Sequence, residues 1–336
     1  MMFKALMLEN SPAFSASVQS VDDSRLPAGD VTVLVACSML DCKEGLAITN
    51  KLPVERQWPM VAAVDGAGTV LESSHPDWNP GDGFVHDGWG VGGTRWGCRA
   101  ERARLKGDCL VRLPAAFAAR QAMAIGTAGH IAMLLLAGAG TSRHHARGGR
   151  GAVHWCHRRR RKQGGRPALL PAPPVVAATG KASEEAYLRQ LGASAIIDRA
   201  GLAKPGKSMH KERWATVVDA VGSHSLANAL AQTRYGSVVA ACGLAQGQDL
   251  PTTVHPFFLR GVSLLGVDLV MAPHTIRQRA SDRLATDLDL AKLEIMVEEI
   301  TLDDAIAKAQ ALMDGKVRGS VVVRIDTTAP DLAPHP

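Results

Sequence analysis

Over the first third of this 336-residue chain, apolar residues come in short, alternating stretches. Residues 31–35 alternate and are β-branched, and residues 61–70 read Val-Ala-Ala-Val-Asp-Gly-Ala-Gly-Thr-Val. The second stretch is an apolar strand with glycines where backbones must approach closely. Asn79-Pro80-Gly81-Asp82 is a turn, residues 89–93 form a glycine-rich loop, and residues 110–114 close the region. Many short strands with Gly and Pro punctuation predict a small β-barrel. The rhythm then changes. Residues 120–137 read as a helix. From Pro174 onward, strands at 175–179, 195–197, 215–218, 237–241 and 262–267 alternate with helices at 183–191 and 225–230. Ser183 is a good N-cap, with two acids behind it in the first turn. Such alternation predicts a doubly wound parallel sheet. A helix from Thr301 to Met313 and a strand at 320–325 precede a Pro-rich tail.

Composition changes the picture in one place. With 46% hydrophobic and 21% charged residues the chain can bury a real core, which excludes general disorder. No run of 18 apolar residues predicts a membrane span, and Met1-Met2-Phe3-Lys4-Ala5-Leu6 does not read as a secretory signal. Six scattered cysteines without a C-x-x-C pair suggest free thiols and a cytoplasmic location. The net charge of +6 is misleading, because nine Lys and Arg lie between Arg143 and Arg166; without them it is −3. No Asp or Glu occurs between Cys109 and Ser183. Residues 141–174 fit neither rhythm. A parallel sheet needs an apolar first strand and a glycine-rich turn there, and the segment holds Arg158-Arg159-Arg160-Arg161-Lys162 and Pro171-Ala172-Pro173-Pro174 instead.

Eight phrases in order along the chain resemble the acrylyl-CoA reductase-like NADPH:quinone oxidoreductases of the medium-chain dehydrogenase/reductase superfamily. They are residues 24–33, 46–49, 88–92, 106–108, 126–129, 240–245, 250–254 and 265–268, including Gly88-Trp89-Gly90-Val91-Gly92 and Gly126-Thr127-Ala128-Gly129. The resemblance implies an α/β fold, a GroES-like β-barrel domain (1–119 and 291–336) plus a Rossmann doubly wound parallel sheet (120–290), disrupted at 141–174. It implies an NADPH-dependent enzyme that reduces the C=C bond of an activated enoyl substrate such as acrylyl-CoA. The alternatives are a quinone reductase or an inactive relative. A homodimer is expected, with neither membrane nor nucleic acid as partner: the basic run has only Trp155 as an aromatic neighbour.

The family's glycine fingerprint, G-A-x-G-G-x-G-S, should begin at position 155. Its glycines let backbone N–H groups meet the cofactor's diphosphate at a helix N-terminus. Here the positions read Trp155-Cys156-His157-Arg158-Arg159-Arg160-Arg161-Lys162. Read one nucleotide later, the codons for these eight residues permit Gly-Ala-Thr-Gly-Gly-Val-Gly-Ser. Two compensating frameshifts around residues 141–174 account for the segment, and the chain as written is expected to hold NADPH weakly or not at all.

Further residues follow from the same resemblance. Thr179, Gly180 and Lys181 lie where the family holds the cofactor's 2′-phosphate, and a cation there favours NADP over NAD. Cys42, in Asp41-Cys42-Lys43-Glu44, stands where the family has a tyrosine beside the nicotinamide; a packed free thiol is the simpler reading of it. Gly243, Leu244 and Phe258 fall at positions near the cofactor. Gly319-Ser320 replaces a Gly-Arg. No metal is expected: Ala63-Val64-Asp65-Gly66 stands where zinc-dependent relatives carry Gly-His-Glu. The histidines at 144, 145, 154 and 157 have an out-of-frame origin.

Overall fold

The computed structural model describes the backbone of residues 1–325 other than 53, 142–159, 164–165 and 170–173, and side chains outside 136–141, 160–163 and 166–169. The chain divides into two units, residues 1–130 with 269–336, and residues 131–268. The first unit opens with β1 (Met2–Asn10), β2 (Phe14–Asp22), β3 (Val31–Leu40), α1 (Cys42–Ile48), β4 (Met60–Val61), β5 (Asp65–Ser73), β6 (Gly83–Asp87), β7 (Arg102–Leu105) and β8 (Val111–Arg112). Helix α2 (Ala119–Thr141) follows, broken at Gly126, whose φ of 48° and ψ of −162° are not helical. In the second unit come β9 (Arg160–Gln163), β10 (Arg166–Leu169), β11 (Val175–Thr179), α3 (Glu185–Gln190), β12 (Ala193–Asp198), β13 (Trp214–Asp219), α4 (Ser223–Gln232), β14 (Thr233–Ala241), α5 (His255–Arg260) and β15 (Ser263–Gly266). The chain then returns to the first unit with α6 (His274–Asp287), α7 (Leu290–Ile295), β16 (Val297–Thr301), α8 (Ala305–Met313) and β17 (Ser320–Arg324).

The first unit is sheet-rich. One sheet runs β2-β1-β4 and the other β16-β17-β3-β5-β6-β8, with β7 also on β3. Among the described residues this pairing does not close into a ring. Strand β3 organises it: Val31, Val33 and Val35 point into the core, while Leu34 is exposed, as the period of two requires. Leu6, Leu8, Phe84, Leu110, Val321 and Val323 complete that core. The glycines read in the strand at 61–70 have a mechanical purpose. A Cβ on Gly68 would overlap the carbonyl oxygen of Leu34 on the neighbouring strand.

The second unit carries two parallel sheets, β11-β12 and β13-β14-β15. Helix α4 buries Leu226, Ala229 and Leu230 in a core with Trp214, Val217 and Val239. These runs correspond to strands 2-3 and 4-5-6 of a doubly wound sheet of order 3-2-1-4-5-6. The segment where the first strand is expected, just before residue 155, lies outside the described residues. Strands β9 and β10 form an antiparallel pair of their own, Arg160 opposite Leu169. The α/β class and the parallel sheet expected from the sequence are therefore present. None of the described helices is long and apolar enough to cross a membrane.

Gly68→Ala should lower stability by about 3 kcal/mol, since backbone must move to admit the methyl group. Gly81→Ala, at φ +91° with open space around it, should cost only about 1 kcal/mol of left-handed strain. Urea denaturation midpoints compare the two; equal losses would contradict the close-approach reading.

Candidate functional site

In the second unit, Thr179, Gly180, Lys181, Gly243 and Leu244 stand at the carboxyl ends of parallel strands, where doubly wound sheets bind ligands, and Phe258 lies in α5. Thr179 is the last residue of β11, and its Oγ1 accepts the Lys181 N–H at 3.1 Å. Lys181 is exposed. A Cβ on Gly180 would lie 3.6 Å from the guanidinium of Arg199, which follows β12. The turn is thus flanked by Lys181 and by Arg199, a second cation that the sequence reading missed because it follows a different strand. Gly243 follows β14; a Cβ there would come within 2.5 Å of the Ala220 carbonyl oxygen, so this glycine lets two loops touch. Asp219 ties the loop after β13 by accepting the N–H groups of Val221 and Gly222 at 3.1 and 2.7 Å. Leu244 is 65% exposed, and so is Phe258, whose ring lies 5.8 Å from that of His255.

The diphosphate position is different. A dinucleotide needs backbone N–H groups converging at a helix N-terminus. Of residues 155–162, those at 155–159 lie outside the described residues, as do the histidines at 144, 145, 154 and 157. Arg160–Gln163 is extended strand, paired with Arg166–Leu169. A strand presents alternate N–H groups to opposite edges, so residues 160–163 do not present converging donors.

In the first unit, Cys42 opens α1, capped by the Asp41 carboxylate, which accepts the Glu44 N–H at 3.0 Å. Partial shielding of the sulfur from water, and then the Asp41 charge, raise the thiol above its ordinary value. The packed thiol expected from the sequence is corrected here: the residue is exposed, because the first position of α1 faces outward while Glu44, Gly45, Ala47 and Ile48 face in.

Behind α1 lies a network of buried charge. Arg99, with no exposed surface, donates to Glu44 Oε2 at 2.6 Å, to Ser38 Oγ at 3.2 Å and to the Met39 carbonyl. The other Glu44 oxygen accepts the Val64 N–H at 2.8 Å. Burial pushes the Glu44 carboxyl up to about 7, opposed by Arg99. Asp65 accepts from Thr127 Oγ1 at 3.1 Å, one residue after the break in α2. Burial first, then the charges of Asp87 and Glu44, push its carboxyl well above the usual range. Three buried acids face two guanidiniums, and Asp65 is the one without a cation. Burial with no cation beside it among the described residues favours its protonated form.

Arg277 closes the second half of the network. It donates to both the carboxylate and the carbonyl of Asp87, and to the carbonyls of Leu269, Val270 and Ala272. Its guanidinium lies 3.6 Å from the centre of the Trp89 ring. That geometry holds the loop after β6, where Trp89 adopts φ +43°. His130 bonds the Gly126 carbonyl and Ser281 Oγ, each at 3.0 Å. The ion pairs and the His130–Ser281 contact are remote in sequence. Charged residues inside apolar runs, such as Asp65 and Arg99, were the one available signal.

Comparison with known proteins places these features. Residues 169–286 match the family described as zinc-binding dehydrogenase. Acrylyl-CoA reductase AcuI of Ruegeria pomeroyi is 41% identical over 341 residues, covering 97% of this chain and all of the relative. A Bacillus subtilis protein named "Putative quinone oxidoreductase YhfP" is 34% identical, covering 96% of this chain and 99% of its own. The crystal structure of the YhdH oxidoreductase from Salmonella enterica in complex with NADP matches with a TM-score of 0.87 at 41% identity, over 96% of this chain and all of that one. Among the described residues, no three of His, Cys, Asp or Glu are grouped so as to hold a metal ion.

The buried imidazole of His86 yields a pH dependence. Burial lowers it from 6.5 to about 4, with Asp87 pulling the other way. The unfolded chain takes up this proton from pH 6.5 downward, while the folded chain resists until about 4. Stability should therefore fall across that window on acidification, by about 3 kcal/mol. The neutral acid Asp65 acts oppositely: its contribution is lost as pH rises above 3.8. The wild-type chain should lose more stability than His86→Leu between pH 6.5 and 4. Equal slopes in urea denaturation series would contradict this.

Proposed function

The chain belongs to the acrylyl-CoA reductase-like oxidoreductases of the medium-chain dehydrogenase/reductase superfamily, and from that premise we propose that its substrate is a small activated enoyl thioester. The observation that carries this is the 41% identity with an acrylyl-CoA reductase over the full length of that relative. Both units are included in that match, so the reading does not rest on the nucleotide-binding half alone. The net reaction is reduction of a carbon–carbon double bond conjugated to a thioester, with NADPH as the reductant.

Thr179, Gly180, Lys181 and Arg199 are the residues proposed for the cofactor's 2′-phosphate. Two cations at one turn favour a phosphate over a ribose hydroxyl. Gly243, Leu244 and Phe258 are proposed to border the nicotinamide half, and Cys42 to stand near it in place of an aromatic ring. The positions due at the diphosphate turn, 155–162, carry none of the fingerprint's glycines, and cofactor capture is the step proposed to limit turnover. A quinone is the second reading, supported by the 34% identity with a protein named as a quinone oxidoreductase.

A second copy of the chain is the proposed partner. Strand β15 pairs with β14 alone among the described residues, and Val254 and Leu259 beside it are 67% and 52% exposed. An exposed strand edge with apolar neighbours suits pairing with its own copy.

Loss of NADPH absorbance with acrylyl-CoA or a simple quinone separates the substrates. With NADPH in large excess, the enoyl thioester should be turned over about tenfold or more faster per unit kcat/KM. A quinone rate equal to or above it would favour the second reading. Lys181→Glu should reduce the preference for NADPH over NADH about tenfold by removing one charge-assisted contact; an unchanged preference would move the 2′-phosphate elsewhere.

A further inference from the structure

In the second unit, the loop after β14 that carries Gly243 and Leu244 is laced by backbone to the loop after β13. The Cys242 N–H donates to the Asp219 carbonyl and the Gln246 N–H to the Val221 carbonyl, each at 2.8 Å. Gly222 and Gly247 form an isolated parallel bridge. At this crossing Ser223 adopts φ +46°, and its N–H donates to the Asp249 carbonyl at 3.1 Å. A residue with a Cβ keeps that left-handed conformation only where its surroundings enforce it, and such strain gathers where a site needs fixed geometry.

One side chain ties these two loops to a third. Gln246 Oε1 accepts the Ser225 hydroxyl at 2.8 Å and the Ser225 N–H at 3.2 Å, in the first turn of α4. Gln246 Nε2 donates to the Ala203 carbonyl at 2.8 Å. Ala203 belongs to the turn that Arg199 opens, where the Leu202 N–H returns to the Arg199 carbonyl at 2.9 Å. The carbonyls on either side, of Leu202 and Lys204, both accept from Nδ2 of buried Asn228 at 2.8 Å. Asn228 thus fixes the turn to α4, and Gln246 fixes the loop after β14 to the turn.

This junction needs an amide. One planar group must accept from Ser225 and donate to Ala203. Gln246 is itself exposed, so its removal empties no core. Hydride transfer needs the reacting atoms at near-attack distance, and a small displacement costs rate. Resting on the cofactor assignments made above, we propose that Gln246 is a positioning residue for hydride transfer, holding the loop of Gly243 and Leu244 in a fixed place relative to the segment that begins at Arg199.

The full-length wild type, Gln246→Ala and Gln246→Glu test this. With acrylyl-CoA and NADPH in large excess, Gln246→Ala should lower kcat about tenfold. Its calorimetric affinity for adenosine 2′,5′-bisphosphate, which probes the 2′-phosphate turn alone, should stay within about twofold of wild type. Gln246→Glu adds a readout that general loosening of the fold would not give. Its carboxylate accepts from Ser225 but cannot donate to Ala203; protonated, it does both. Its kcat relative to wild type should therefore climb from about pH 8 to about pH 5, while the ratio for Gln246→Ala stays flat. Ratios taken at each pH cancel the groups that the chains share. Hydrogen exchange of the amides at 242–249, without cofactor, should be about fivefold faster in Gln246→Ala. In Gln246→Glu it should slow toward wild type on acidification. Unchanged exchange in Gln246→Ala would overturn the proposal, as would faster exchange with unchanged kcat, or a loss in Gln246→Glu that ignores pH. Absence of wild-type turnover or of bisphosphate binding would instead count against the substrate and cofactor assignments, and the exchange rates would still decide whether Gln246 holds the loop.

Discussion

A dinucleotide's diphosphate is held chiefly by backbone. Several N–H groups must converge on its oxygens at a helix N-terminus, and the chain must come close enough that a Cβ would stand in the way. Everything else in a nucleotide-binding sheet positions groups around that turn. In this protein the surroundings are built: β11 ends at Thr179, β13 ends at Asp219, and β14 ends before Gly243. The residues due at the turn are bulky and cationic, and Arg160–Gln163 runs as a strand. Arginines attract phosphate from a distance, but charge alone does not supply the convergent geometry that glycines allow. The local backbone requirement outweighs the added charge, which is screened at physiological salt.

The first unit shows how the same scaffold spends charge when geometry is right. Arg99 and Glu44 are both withdrawn from water, at a cost of several kcal/mol per ion. Their 2.6 Å contact, with Ser38, Met39 and Val64 taking up further groups, offsets part of that cost, although Arg99 Nη1 is left buried without a hydrogen-bond partner. Arg277 does likewise with Asp87 and three carbonyls, and its guanidinium also covers the Trp89 ring. Asp65 has no cation beside it among the described residues, and burial favours its protonated form. The two guanidiniums therefore fix where α1 and the loop after β6 sit relative to the sheet.

Much of the second unit was legible in the sequence because its signals are local. Strands at 175–179 and 237–241, and the helix around 225–230, stand out as apolar runs or faces bounded by turns, and the structure has them. The long antiparallel pairing of Met2–Asn10 with Phe14–Asp22 was not read, since its residues mix polarity on a half-exposed strand. The turn at Thr179 through Lys181 was readable as the end of an apolar strand, while its assignment to a phosphate came from the resemblance. Arg199 was not, because it meets Gly180 only through the parallel pairing of β11 with β12. Arg99 with Glu44 and Arg277 with Asp87 are separated by 55 and 190 positions. No local pattern encodes such a meeting. Cys42 was misjudged as packed because a helix's first position shows its orientation only once the helix is placed.

The central claim is that a reductase scaffold has lost its grip on the diphosphate, and direct NADPH binding tests it without any assumption about substrate. Calorimetric titration would compare this chain with one whose residues 141–174 are read from the other frame, restoring the glycine turn. The account predicts affinity at least about a hundredfold weaker for the present chain, the worth of two or so charge-assisted hydrogen bonds. Equal affinity in the two chains would contradict it.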